Sequence, residues 1–351
     1  MSNTVSASTL VLAAIRERVA ALHTATEPES APAVDDVPAG TGSEAGSDLG
    51  ADGGSSVTVP AAEDETPDDE PVRAAGGPDG PGGPDVERLA EALADLDAVL
   101  TGFASLIEGG ELPALRAELS WARSTVEEAR ALDGTIELLE DLVEDLDPSL
   151  RQGPVEARIG IVVTARAAER RDAVTAMLAR PEWTSLVAHA DQLVLTAPIS
   201  GRKPKNAPRV LARALADADA AAREAAAAAV PDTEGADRAG ATRLDPVAAA
   251  AHTVAATARV ARGVLGKQAR RLGDAAAALA TTTEECRRSG SVTHWLVDLA
   301  DLAHRAGEPS FSYGVLHAEA TARREAADEA LAGAVTAYTR PKLRKWLADA
   351  S

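Results

Sequence analysis

V-E-R-L-A-E-A-L-A-D-L-D-A-V-L-T-G-F, residues 86–103, sets Leu89, Leu93, Leu96 and Leu100 at spacings of four and three, with Val99 and Phe103 beside them. That period describes an α-helix with one apolar face. A second run, L-D-P-V-A-A-A-A-H-T-V-A-A-T-A-R-V-A-R-G-V-L-G-K-Q-A-R-R-L at 244–272, begins 158 residues later (244 against 86). Solenoid repeats have periods of ~20–50 residues. The longer spacing therefore suggests a duplicated bundle of about four helices. The chain is rich in alanine, the strongest helix former, and only 2% of its residues are aromatic. The expected fold is all-α, built as two pseudo-symmetric helical bundles.

Outward from these runs, residues 9–23 fit one amphipathic helix. Further helices are expected at 114–132, 135–146, 154–179, from 181 onward, 208–229, 246–264, 267–287, 291–305, 313–338 and 341–348. Residues 1–25 therefore supply a first helix, 86–230 the remainder of the first bundle and 244–351 the second. Residues 231–243, opening with P-D-T-E-G-A-D-R-A-G, read as a linker. Residues 26–85 read as a disordered acidic insert, with runs such as E-D-E-T-P-D-D-E-P and few large apolar side chains to offset the entropy of ordering. Helical spacing predicts a core containing Leu89, Leu93, Leu96, Leu100, Trp121, Leu139, Leu142, Val264, Leu272, Leu279, Trp295 and Leu299.

Charge is unevenly spread over the 351 residues. The total is −20, yet residues 26–147 carry 31 acidic and 5 basic side chains, against 23 and 28 in residues 148–351. An acidic total argues against general nucleic-acid binding, which needs a basic footprint. No stretch reads as a membrane span or signal peptide. The single cysteine, Cys286, excludes an internal disulfide, and the protein is expected in the cytoplasm.

The two runs resemble the opening helices of the CHAD (conserved histidine α-helical domain) family, and the similarity extends over roughly residues 8–24 and 86–347. E-L-S-W-A-R-S-T-V-E-E-A-R-A-L-D at 118–133, V-L-G-K-Q-A-R-R-L at 264–272, F-S-Y-G-V-L-H-A-E-A at 311–320 and R-P-K-L-R-K-W-L at 340–347 follow that family's pattern. The resemblance implies binding of inorganic polyphosphate and a place at polyphosphate granules. This chain departs from it in its charges: Glu87, Asp245 and Cys286 stand where the family places histidines. Ala90, Ala94, Asp95, Asp97, Thr101, Ala248, Ala249, His252, Thr253 and Ala255 stand where it usually places basic residues. Carboxylates there repel a phosphate chain, so weakened binding is expected.

The cations remaining for a polyanion are Arg130; Arg202, Lys203, Lys205 and Arg209; Lys267, Arg270 and Arg271; Arg287 and Arg288; and Arg340, Lys342, Arg344 and Lys345. Lys267, Arg270 and Arg271 match the family's basic face best. The six histidines show no metal-ligand spacing, and neither a phosphate loop nor a serine elbow is present. No metal, no cofactor and no catalysis are expected. The alternative reading is an acidic helical scaffold whose first half contacts a basic protein partner.

Overall fold

The computed structural model describes residues 5–26, 84–196, 198–229 and 239–350. Among them lie nine α-helices: α1 (Ala7–Thr26), α2 (Val86–Gly102), α3 (Leu112–Glu144), α4 (Val155–Leu178), α5 (Pro181–Thr196), α6 (Ala207–Ala229), α7 (Ala239–Arg305), α8 (Phe311–Thr339) and α9 (Lys345–Ala350). The fold is all-α; the described residues form no sheet, only one isolated antiparallel bridge between Ile107 and Ile199. Glu108 N–H donates to Pro198 (2.9 Å) and Ser200 N–H to Leu106 (2.8 Å), tying the α2–α3 turn to the α5–α6 loop. The acidic insert lies outside the described residues, save that Thr26 ends α1 and Asp85 caps α2 by accepting from Arg88 N–H at 2.9 Å.

Two expected breaks are absent. Helices expected at 114–132 and 135–146 are one helix, α3, because the apolar stripe Leu132, Ile136, Leu139 runs through Gly134 without losing register. Gly134 serves close packing instead: a Cβ there would stand 2.8 Å from Arg288 Nε. Likewise α7 continues through Ser289 and Gly290, since Cys286, Ser289, Val292, Leu296 and Leu299 keep one buried face. A break does occur at Gly266, whose φ of 70° and ψ of −147° interrupt α7. This region is open to glycine and strained for other residues, so α7 consists of two arms meeting at Gly266. Residues 239–243, expected as linker, belong to the first arm.

Three apolar clusters hold the helices together. The first joins α1, α2, α5, the first half of α3, the beginning of α6 and Ala256 and Ala261 of α7. The second joins the end of α3, α4, the end of α7 and the start of α8. The third joins α6 with both arms of α7, Tyr338 and Leu347. Helix α6 bridges two clusters, with Ala207, Leu211 and Ala214 in the first and Ala212, Leu215, Ala218, Ala222 and Ala226 in the third. Of the expected core residues, Leu89, Leu93, Leu96, Leu100, Leu139, Leu142, Leu272, Leu279 and Leu299 are buried. Trp121, Val264 and Trp295 are partly buried at cluster margins.

Helix α2 crosses the first arm of α7 at Gly102, where an added Cβ would overlap Thr257 Oγ1. Gly102→Ala should therefore cost ~1–3 kcal/mol in a denaturant melt, as overpacking does. Adding Thr257→Ala should recover most of that loss. A destabilisation below ~0.5 kcal/mol would mean the helices do not approach this closely.

Candidate anion-binding site

The two arms of α7 meet over an open cavity of about 520 Å³ lined by Arg262, Gly266, Lys267 and Arg270. Gly266 brings these cations together. Without its left-handed backbone the arm would run on, and Arg262 and Arg270 would remain on one helix, two turns apart. Arg262, Lys267 and Arg270 are exposed, and none has an ion-pair partner among the described residues. Residues 259–271 contain five basic side chains and no acidic one, as do residues 198–213. Those segments lie at the same end of the α6–α7 pair: Ala207 and Leu211 share a cluster with Ala261, and Val264 and Leu265 pack against it. The exposed Arg202, Lys203, Lys205 and Arg209 therefore approach the Gly266 end, and Arg271 follows on the second arm.

The remaining sequence-predicted cations sit elsewhere and are mostly engaged. Arg130 lies 3.0 Å from Glu127, 3.4 Å from Glu284 and 3.9 Å from Glu87. Arg287 lies 2.9 Å from Glu284 and 3.3 Å from Asp245. Burial works against both guanidinium charges, but the carboxylates outweigh it and raise both pKa values. Glu87 and Asp245 are raised too, first by burial and then by neighbouring carboxylates. These arginines are therefore internally saturated and leave the candidate site. Arg288, packed over Gly134, belongs to the same region. That region lies along the first arm ~30 Å from Gly266, at 1.5 Å per residue from Asp245.

Arg344 is structural as well. Its guanidinium meets Asp219 at 2.8 Å, the Tyr338 hydroxyl also donates to Asp219 at 2.8 Å, and the Asp219 side chain is 2% exposed. Burial and this carboxylate push the Tyr338 phenol well above its usual range. Arg340, Lys342 and Lys345 are exposed beside that knot.

Sequence reasoning missed Arg262, although R-V-A-R-G in the quoted run was the available signal. It also missed two charge clusters on α2. Asp95 meets Arg18 and His252 at 2.9 Å each and Arg259 at 3.2 Å. Asp97 pairs with Arg123 and lies 3.8 Å from Arg116. The paired carboxylates around Arg130 and Arg287 had a signal too: T-V-E-E-A-R at 125–130 repeats as T-T-E-E-C-R at 282–287. No group of metal-ligating side chains occurs among the described residues.

The CHAD domain family matches residues 82–289. The chain belongs to that family. A solved structure, PptA from Streptomyces chartreusis, superposes with a TM-score of 0.54 over 71% of this chain and 88% of that one, at 17% identity. The likeness extends to the fold. No curated protein sequence matches. Within the CHAD domain Cys286 is buried, and its thiol donates to Asp328 at 2.9 Å. Burial, with that carboxylate, pushes the thiol up to about 12.

Two outcomes follow from these environments. Arg344→Ala should cost ~1–3 kcal/mol, because buried Asp219 loses its two-pronged partner and keeps only Arg223 at 3.1 Å and the Tyr338 hydroxyl, whereas Lys342→Ala should stay within ~0.5 kcal/mol; chemical denaturation compares them, and equal effects would return Arg344 to the list of free cations. Cys286 should resist iodoacetamide at pH 8 in the folded protein and react once unfolded, since the thiolate is the nucleophile and a raised pKa leaves the thiol protonated below it. Rapid labelling of folded protein would contradict the buried hydrogen bond.

Proposed function

We propose that this CHAD domain binds inorganic polyphosphate, or a polyanion of like charge density, at the Gly266 end without catalysing a reaction. The observation that carries the reading is the convergence of Arg262, Lys267 and Arg270 on one cavity with no ion-pair partners among the described residues. Arginine offers paired N–H donors to phosphate oxygens and lysine a point charge. Family membership supports the ligand class. Exposed cations act through solvent, where the screening length is ~8 Å at 0.15 M salt. Affinity is accordingly modest and falls steeply with ionic strength. None of the helices described is long and apolar enough to cross a membrane, and we place the protein in the cytoplasm, with its ligand.

A second reading has its own observation. Glu137, Glu140, Asp141 and Glu144 are exposed at the far end of α3 and have no ion-pair partner among the described residues. At 33 residues α3 is ~50 Å long, which separates this strip from the tethered α2–α3 turn. It fits a basic protein partner, as a scaffold would require.

Titration with medium-chain polyphosphate at 50 and 200 mM salt tests the first reading. Binding should weaken at least tenfold between the two. The triple variant Arg262→Ala/Lys267→Ala/Arg270→Ala should lose it, while Arg166→Ala/Arg305→Ala, which removes two arginines paired with Glu169 and Asp301, should stay within twofold. Tight binding that survives both the salt and the triple variant would overturn the assignment.

A further inference from the structure

Three cationic or ionisable side chains from two helices converge on one carboxylate of a third. Asp95 of α2 takes Arg18 of α1 at 2.9 Å, and His252 and Arg259 of α7 at 2.9 and 3.2 Å. His252 and Arg259 are seven residues apart on one arm, so they share a face. Among the described residues one other carboxylate joins the group: Glu17, 2.7 Å from Arg18. Arg18 itself is 7% exposed, an unusual depth for a guanidinium. Its Nε is buried and lies close to Asp95, yet makes no aligned hydrogen bond. The three donors therefore surround an oxygen position that the Asp95 side chain reaches but does not fully satisfy. Burial alone would raise the Asp95 carboxyl; the His252 hydrogen bond and the charges of His252, Arg18 and Arg259 bring it below its usual value instead. The environment thus favours negative charge at this point.

We infer that Asp95 is a built-in occupant of an oxyanion subsite formed by Arg18, His252 and Arg259, and that it determines specificity by confining polyphosphate to the Gly266 end. This rests on the polyanion reading above for the identity of the ligand, but on different residues. The subsite is cationic once Asp95 is removed: Arg18 and Arg259 face Glu17 alone, with His252 adding charge when protonated. One phosphate group of a chain, with oxygens in place of Oδ1 and Oδ2, satisfies the same donors. The Asp95 side chain is 23% exposed, so the position opens to solvent. Alanine preserves the helix at this position, and Glu17, 2.7 Å from Arg18, remains as the partner of that buried guanidinium.

The experiment is calorimetric titration of medium-chain polyphosphate into Asp95→Ala at 50 mM salt. Affinity should rise at least tenfold over wild type, and Asp95→Ala/His252→Ala/Arg259→Ala should lose the gain. Should Asp95→Ala fail to fold, Asp95→Asn keeps the side-chain volume, and an affinity rise of at least threefold is expected of it. Placing Asp95→Ala on the Arg262→Ala/Lys267→Ala/Arg270→Ala background separates the two sites. If the Gly266 reading is wrong, wild type fails to bind while the Asp95 variants still do. If the occupant reading is wrong, the folded Asp95 variants titrate like wild type, whatever the Gly266 end does.

Discussion

The close crossing of α2 over the first arm of α7 is the constraint from which the rest of the arrangement follows. Helix axes come within 8–10 Å only as far as the side chains between them allow. Here Gly102 gives its space to Thr257, and Gly273 brings the two arms of α7 together with Ala258, to which a Cβ would come within 2.8 Å. The buried face of the first arm is built from Val247, Ala251, Val254, Ala256, Ala258 and Ala261, with no side chain larger than valine. Small residues permit the approach; leucines on α2 and the second arm then fill the flanks. With α2 fixed against this arm, Asp95 is aligned with His252 and Arg259, and Glu87 and Asp245 are brought to the same end of the pair.

That alignment decides the electrostatics. Carboxylates on α2 and at the start of the first arm lie within reach of arginines on α3 and the second arm, and the two neutralise each other. Half-exposed pairs of this kind contribute little to stability individually, about 0–1 kcal/mol. Their larger consequence concerns ligands: a guanidinium already facing two or three carboxylates has no spare field for a phosphate. Arg262, Lys267 and Arg270 escape this, with no carboxylate partner among the described residues, whereas Arg259 in the same stretch is engaged by Asp95. Among the described residues, free positive charge therefore lies at the α7 elbow and the α5–α6 loop, and free negative charge at the far end of α3.

Much of this was legible from residue patterns. Leu89, Leu93, Leu96 and Leu100 gave α2 its buried face. The breaks expected after residues 132 and 287 are absent, and Gly134 is a packing residue against Arg288. An unbroken apolar stripe on both sides was the stronger cue. The basic groups were legible as types but not as free or engaged: Arg344 and Lys342 are two residues apart, yet one is locked onto Asp219 from α6 and the other faces solvent. Such a difference depends on partners 125 residues away in sequence, and no local pattern carries it. Arg262 was missed because the elbow at Gly266, which joins it to Lys267 and Arg270, depends on one backbone conformation.

The central claim is that free positive charge, not the family position of a residue, decides where a polyanion rests. Hydrogen–deuterium exchange of the whole chain, with and without medium-chain polyphosphate at low salt, tests it most directly. The account requires added protection in peptides covering 198–213 and 259–271, and none in those covering 86–95, 125–133 or 282–288. Protection along the start of α2 and around Arg130 and Arg287, with none at the Gly266 elbow, would contradict it.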